Sequence, residues 1–302
     1  MRRGLALALS LTLSLSLAAQ AAEPIATSRA LAPFADDPNA ERSPAIMHDS
    51  GGFFGTSGDI RLALLTEPTD RYAHAVLGDG IEAGGIAVST GIMAPDAEAL
   101  HAWITLTEAF VFEDLMPRII DLDGDGRNEV ITILSERGVG ASLAVLGLRD
   151  RELRIVARTP PIGTANRWLN PAGIADFDGD GVEDIALVKT PHIGGDLQLW
   201  SGSSLLSGRP RMVATKRGYS NHAIGSRELD LAEVVETDDG PVLIVPTADR
   251  RSLEALRFMD GAWTTLATVM LEDQVVGPVT ETDGMIHTSD GGPRVPLTEL
   301  IP

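Results

Sequence analysis

The chain has 302 residues, no cysteine, and a formal charge of −19 from 24 basic and 43 acidic side chains. Without cysteine there is no disulfide framework to staple the fold. Without a basic stripe there is nothing to neutralise a phosphate backbone, so nucleic-acid partners are excluded.

The first 21 residues read as a secretory signal peptide. Arg2 and Arg3 form a charged start, Leu5 to Leu17 is an apolar run broken only by Ser and Thr, and Ala19-Gln20-Ala21 fits a small-x-small cleavage site. A membrane anchor is the alternative, but the run is short of the ~20 residues a bilayer core requires. No cysteine follows, so lipoprotein processing is excluded, and the residues around Arg2-Arg3 do not complete a twin-arginine signal. No transmembrane segment is expected after cleavage. Residues 22–58, rich in Ala, Pro, Asp, Ser and Gly without periodicity, are expected to be a mostly irregular leader. Residues 59–302 are expected to form the folded domain.

Within that domain, strand, acidic turn and strand recur. A degenerate copy runs from Tyr72 through the Asp79-Gly80-Ile81-Glu82 turn to Thr90. Two full copies follow. Asp121-Leu122-Asp123-Gly124-Asp125-Gly126-Arg127-Asn128-Glu129 lies between Pro117–Ile120 and Val130–Leu134. Asp176-Phe177-Asp178-Gly179-Asp180-Gly181-Val182-Glu183-Asp184 lies between Ala172–Ala175 and Ile185–Val188. Weaker turns recur at Asp238-Asp239-Gly240 and Asp283-Gly284, and whether Asp79, Asp238 and Asp283 hold metal is open at this stage. The spacing is about 50 residues, close to the length of a four-stranded propeller blade. Further strand pairs, such as Ser252–Phe258 and Trp263–Leu271 around Asp260-Gly261, fill the intervals. The expected fold is therefore all-β, a five-bladed β-propeller, with Ile60–Thr66 near the start returning to complete the last blade. A two-sheet sandwich is the alternative.

Carboxylates at the first, third, fifth and ninth positions, with glycines letting the backbone curl, make an oxygen cage for a hard cation of calcium's size. The EF-hand is excluded, because it needs a bidentate Glu at position twelve and flanking helices; Thr132 and Leu187 stand there, and the flanks are strand formers. Plain solvated Asp-Gly turns are the duller alternative.

These residues resemble the FG-GAP or VCBS-type calcium repeats of integrin α-subunits and of secreted bacterial proteins, which build β-propellers. The resemblance covers the two nonapeptides and their flanking strands. It implies Ca2+ ligation by Asp121, Asp123, Asp125, the Arg127 carbonyl and Glu129, and by Asp176, Asp178, Asp180, the Val182 carbonyl and Asp184. Acidity, metal loops and absent cysteines together point to the periplasm or the exterior.

If the metal loops join the first and second strands of each blade on one face, the remaining connections meet on the other. That face would gather His74, Glu113, Asp114, Arg167, Trp168, His192 and His222, together with Arg71, Asn170 and Asn221, as candidate ligand-binding residues. Each has a structural alternative: Trp168 as packing between blades, Arg167 as the partner of Glu113 or Asp114, the histidines as hydrogen-bonded supports or transition-metal ligands. No Gly-x-Ser-x-Gly, His-Glu-x-x-His or phosphate loop is present, so no named catalytic class is supported. The expected function is a non-enzymatic binding module for a protein, peptide or glycan. The alternatives are a hydrolase or lyase on the same face and a structural part of an envelope assembly.

Overall fold

The computed structural model describes residues 25–33, 44–47, 53–91, 100–289 and 292–301. The expected signal peptide, 1–21, lies outside the described residues, as does most of 22–58. Strands dominate the described chain: β1 (Ala26–Pro33), β2 (Phe53–Phe54), β3 (Leu62–Thr69), β4 (Glu82–Ser89), β5 (Leu100–Leu106) and β6 (Phe110–Phe112) come first. A regular series follows. It contains β7 (Arg118–Ile120), β8 (Glu129–Glu136), β9 (Gly140–Arg149) and β10 (Glu152–Arg158), then β11 (Leu169–Ala175), β12 (Asp184–Lys189), β13 (Asp196–Trp200) and β14 (Met212–Arg217). Next are β15 (Glu233–Val235), β16 (Val242–Pro246), β17 (Ser252–Met259) and β18 (Ala262–Met270), and finally β19 (Thr280–Thr282), β20 (Met285–His287) and β21 (Arg294–Pro296). Two short helices, α1 (Gly202–Leu206) and α2 (Leu297–Leu300), interrupt them, and among the described residues no helix is long and apolar enough to cross a membrane.

From β7 to β18 each set of four strands is an antiparallel meander in chain order. The meanders stack face to face, and the side-chain period of two explains how. On β12, Ile185 and Leu187 enter the core shared with the preceding sheet, while Ala186 and Val188 enter the core shared with the next. On β16, Leu243 and Val245 face back and Val242 and Ile244 face forward. A strand buried on both faces reads as a continuous apolar run, which is how these second strands look in the sequence. The fourth strands β14 and β18 alternate with exposed residues, as an outer edge in water requires.

The first part departs from the expected repeat. Tyr72–Gly78, expected as a strand, has none. His74 N–H turns back onto the Tyr72 carbonyl, Ala75 and Gly78 have positive φ, and Val76 and Leu77 drop into the core as loop residues. The run Ile60–Thr66, expected to complete the last blade, instead supplies β3, which pairs with β2 and β4; among the described residues the last sheet contains β19, β20 and β21. Within 22–58, expected to be mostly irregular, lie β1 and β2. β1 pairs with β5 on one side and β10 on the other, filling two edges at once, and β6 bridges β4 and β8. The path β4-β5-β1-β10-β9-β8-β6 thereby returns to β4, so the first two units share one ring-like sheet.

Candidate functional site

The acidic loops join β7 to β8 and β11 to β12. In both, the glycines sit at positive φ (Gly124 71°, Gly126 84°; Gly179 75°, Gly181 86°), with open space where a Cβ would stand. It is therefore backbone handedness, and not crowding, that demands glycine there. The first carboxylate accepts two amides: Asp121 takes Asp125 N–H (3.1 Å) and Gly126 N–H (2.9 Å), and Asp176 takes Asp180 N–H and Gly181 N–H at 3.0 Å each. Arg127 and Val182 hold equivalent places, each N–H on the fifth-position carboxylate.

Carboxylate oxygens of Asp121, Asp123 and Asp125 lie within 4.8 Å of one another, and so do those of Asp176, Asp178 and Asp184. Such groups have the donor set of a hard-cation site. The ninth-position acids fit this reading electrostatically. Glu129 and Asp184 are buried, and burial pushes each carboxyl up to about 7, a cost that a bound cation would offset. The loops differ in detail. Glu129 accepts Leu122 N–H (3.4 Å) and faces Arg149 (3.5 Å), whereas Asp184 joins its cluster and accepts Gly202 N–H (3.0 Å). Asp180 accepts Ser203 Oγ–H (2.8 Å) at the start of α1, and Asp125 faces the Arg127 guanidinium (3.4 Å).

At the other end of these strands lies a second cluster. β12 alone, from Asp184 to Lys189, separates the two ends by roughly 15–20 Å. Thr190 N–H bonds the Trp168 carbonyl (2.9 Å), fixing the loop that carries His192 beside the residue that precedes β11. The Trp168 ring lies 6.2 Å from His192, nearly parallel, and 4.7 Å from His222, and its Nε1–H donates to the Glu113 carbonyl (2.9 Å). With 2 % exposure, Trp168 packs between two sheets.

The two histidines form a directed chain. His222 Nε2 is 3.1 Å from the Ser226 carbonyl, an acceptor only, so this nitrogen carries the proton. Neutral His222 then accepts at Nδ1 from His192 Nε2–H, 2.8 Å away, which leaves the lone pair on His192 Nδ1. Burial lowers both imidazoles to about 4. His222 and then the nearby Arg250 add to this for His192; for His222, the Ser226 carbonyl opposes it.

Next to this pair, His74 Nδ1 meets Glu113 Oε1 at 2.5 Å, and Ser135 Oγ–H donates to the other Glu113 oxygen. Sequence reasoning missed two further members. Glu82, 2 % exposed with Oε1 unpartnered, is raised to about 9 by burial and then by Glu113, Asp79 and Asp114; burial raises Tyr72 to about 12. An acid opening a strand was the one available signal for Glu82.

Other candidates do not join. Asp114 is consumed by Leu115 and Met116 N–H, Thr132 Oγ–H and the Arg118 guanidinium (3.0 Å). Arg118 thus holds the place proposed for Arg167, whose Nη1 bonds the Asn166 carbonyl. Arg71 donates to the Phe110 carbonyl, and Asn170 and Asn221 cross-link backbone carbonyls between neighbouring sheets, each donating to the other's carbonyl at 3.2 Å. A cavity of about 290 Å3 opens among β7, β11 and β15, lined by Arg118, Gly173, Asp230 and Glu233; burial, then Asp230 and Glu281, raises Glu233.

Among known proteins, residues 121–187 match the model of the FG-GAP-like repeat. No curated protein matches the chain. Two solved structures resemble it: rhamnogalacturonan lyase YesW (TM-score 0.40, 15% identity, 80% of this chain and 50% of that one) and Bacillus licheniformis rhamnogalacturonan lyase PL11 (TM-score 0.41, 14% identity, 82% and 59%). The matched part spans little more than half the length of those lyases, and at this similarity they carry no argument about chemistry. The two acidic loops, set between paired strands, both lie in the segment that model matches, so residues 121–187 carry an FG-GAP-like repeat.

Proposed function

We propose that the protein is an exported, calcium-stabilised β-propeller, built on a five-unit plan, that serves as a binding module. Its partner is a protein, peptide or glycan, held on the face opposite the acidic loops. The observation that carries this reading is the division of labour along β11 and β12: converging carboxylates at one end, and the Trp168–His192–His222 group at the other. Calcium would fix the hairpins that orient the strands, and His192, half-buried with Nδ1 unprotonated, would accept a hydrogen bond from the partner. Export rests on the Arg2–Ala21 segment and on the acidic, cysteine-free composition.

The test is affinity capture from periplasmic and envelope extracts, with wild type and His192→Ala as baits, in calcium and in chelator. Partner retention by wild type in calcium, lost on His192→Ala while the melting temperature holds, supports the reading. Equal capture by both baits would refute the assigned face. The His74–Glu113 contact favours a second reading, a hydrolase or lyase that uses His74 as a base. Turnover of polysaccharide or peptide libraries by wild type, abolished by His74→Ala, would move the assignment there.

A further inference from the structure

The cavity of about 290 Å3 among β7, β11 and β15 belongs to neither cluster: none of its lining residues comes from the acidic loops or the histidine group. Its position follows from the meander order. β7, β11 and β15 open three successive meanders, and each pairs on one side only, with β8, β12 and β16. Their other edges carry no strand and border the cavity. The β11 wall is built from small residues. Its register slips between Pro171 and Gly173, taking Ala172 out of the ladder, and a Cβ on Gly173 would lie 2.4 Å from Val234 Cγ2. Met116, Ile174 and Val234 add apolar lining.

Two opposite charges stand in this lining and do not meet. Arg118, on β7, spends Nη1 on the Asp114 carboxylate and on the Met116 carbonyl, both at 3.0 Å. Among the described residues, its Nε and Nη2 have no acceptor. Glu233, on β15, is half-buried, and among the described residues its carboxylate has neither a hydrogen bond nor an ion pair. Burial, then Asp230 and Glu281, raises that carboxyl, so its charged neighbours are acids. A metal cation would answer these carboxylates and leave Arg118 unmet; a simple anion would do the reverse. A molecule bearing both charges answers both walls. The sheet of β11 stands between those of β7 and β15, and packed sheets lie about 10 Å apart, so a short alkyl chain has to separate the two charges.

We propose that this cavity binds a short aliphatic ω-amino acid, its carboxylate on Arg118 Nε and Nη2 and its ammonium between Glu233 and Asp230. These two guanidinium N–H groups form the side-on fork that matches a carboxylate. The alkyl chain lies against Met116 and Val234. The site is independent of the acidic loops and of the histidine face.

The experiment uses the mature chain in saturating calcium and three probes, δ-aminovalerate, n-pentylamine and valerate, titrated by calorimetry and by ligand-observed NMR. δ-Aminovalerate should bind wild type about tenfold or more tightly than either analogue with one charge, as one further charge-assisted pair predicts. Glu233→Gln keeps the shape and removes the charge. It should weaken δ-aminovalerate and pentylamine about tenfold each, with the melting temperature preserved or raised as the repulsion is relieved. Failure of wild type to bind δ-aminovalerate overturns the proposal. So does equal affinity for pentylamine, which would leave Arg118 without a role, or undiminished δ-aminovalerate binding by a folded Glu233→Gln. Should Glu233→Gln fail to fold, the ranking of the three probes on wild type decides alone.

Discussion

Glu82 offers the sharpest test of the buried polar cluster. Its carboxyl is 2 % exposed, one oxygen lacks a partner, and burial followed by repulsion from Glu113, Asp79 and Asp114 raises it to about 9. In the unfolded chain it ionises near 4.5. A raised folded value means that its stability contribution is fully present below the unfolded value and is lost as pH rises through the folded one. At pH 7 the native state must therefore protonate a group that the unfolded state leaves charged. The gap of 2.5 pH units above 4.5 corresponds to about 3 kcal/mol at 1.36 kcal/mol per unit. Glu82→Gln removes that linkage while keeping the shape. Allowing about 1 kcal/mol for an imperfectly placed amide, the variant should be more stable than wild type by roughly 2–3 kcal/mol at pH 7. The advantage should vanish between about pH 5 and 5.5 and grow by about 1.4 kcal/mol per unit from there to pH 7. Urea unfolding of both proteins at several pH values, in saturating calcium, measures the difference, from which all other titrating groups cancel. Parallel stability–pH curves for the two proteins would falsify the assignment of Glu82 as a buried neutral acid.

Calcium at 100-fold excess over its dissociation constant should stabilise the protein by ~2.7 kcal/mol per occupied loop, and Asp123→Ala should remove the first loop's share; a melting temperature indifferent to chelator would defeat the metal reading. The histidine pair acts on the acid side. With both folded values lowered to about 4 from 6.5, its contribution is present above 6.5 and lost as pH falls through 4, by up to about 1.4 kcal/mol per unit for each ring. His222→Asn should flatten that limb, and an equally steep limb would contradict it. Gly195→Ala should be among the most damaging small substitutions, because its Cβ would lie 1.6 Å from the Tyr219 carbonyl oxygen in the turn that carries His192. Unchanged denaturation would show that this turn can relax.

What could be read in advance was local. The acidic loops are legible because each position is fixed by a requirement within nine residues: oxygen at alternating positions and positive φ at the glycines. β12 and β16 are legible because burial on both faces writes an unbroken apolar run. The first unit was misread because its pairing is decided at long range. Nothing within Tyr72–Gly78 forbids a strand; β3 takes one edge of β4, and β5 with β6 takes the other. Arg167 was misplaced for a related reason: Arg118, close to Asp114 in sequence, reaches that carboxylate first. Glu82 was hidden because a strand's opening acid looks the same whether solvated or buried.

The double pairing of β1 bears on the order in which the protein is made. Residues 26–33 leave the ribosome early, yet their partners are Leu106, Thr105 and Ile104 on one side and Glu152 on the other. The segment must wait, extended and unpaired on both edges, until more than 120 later residues have emerged and two sheets exist to receive it. In an exported chain this favours passage across the membrane before closure. The first sheet can lock only when the earliest strand slots between two edges built from later residues and completes the ring.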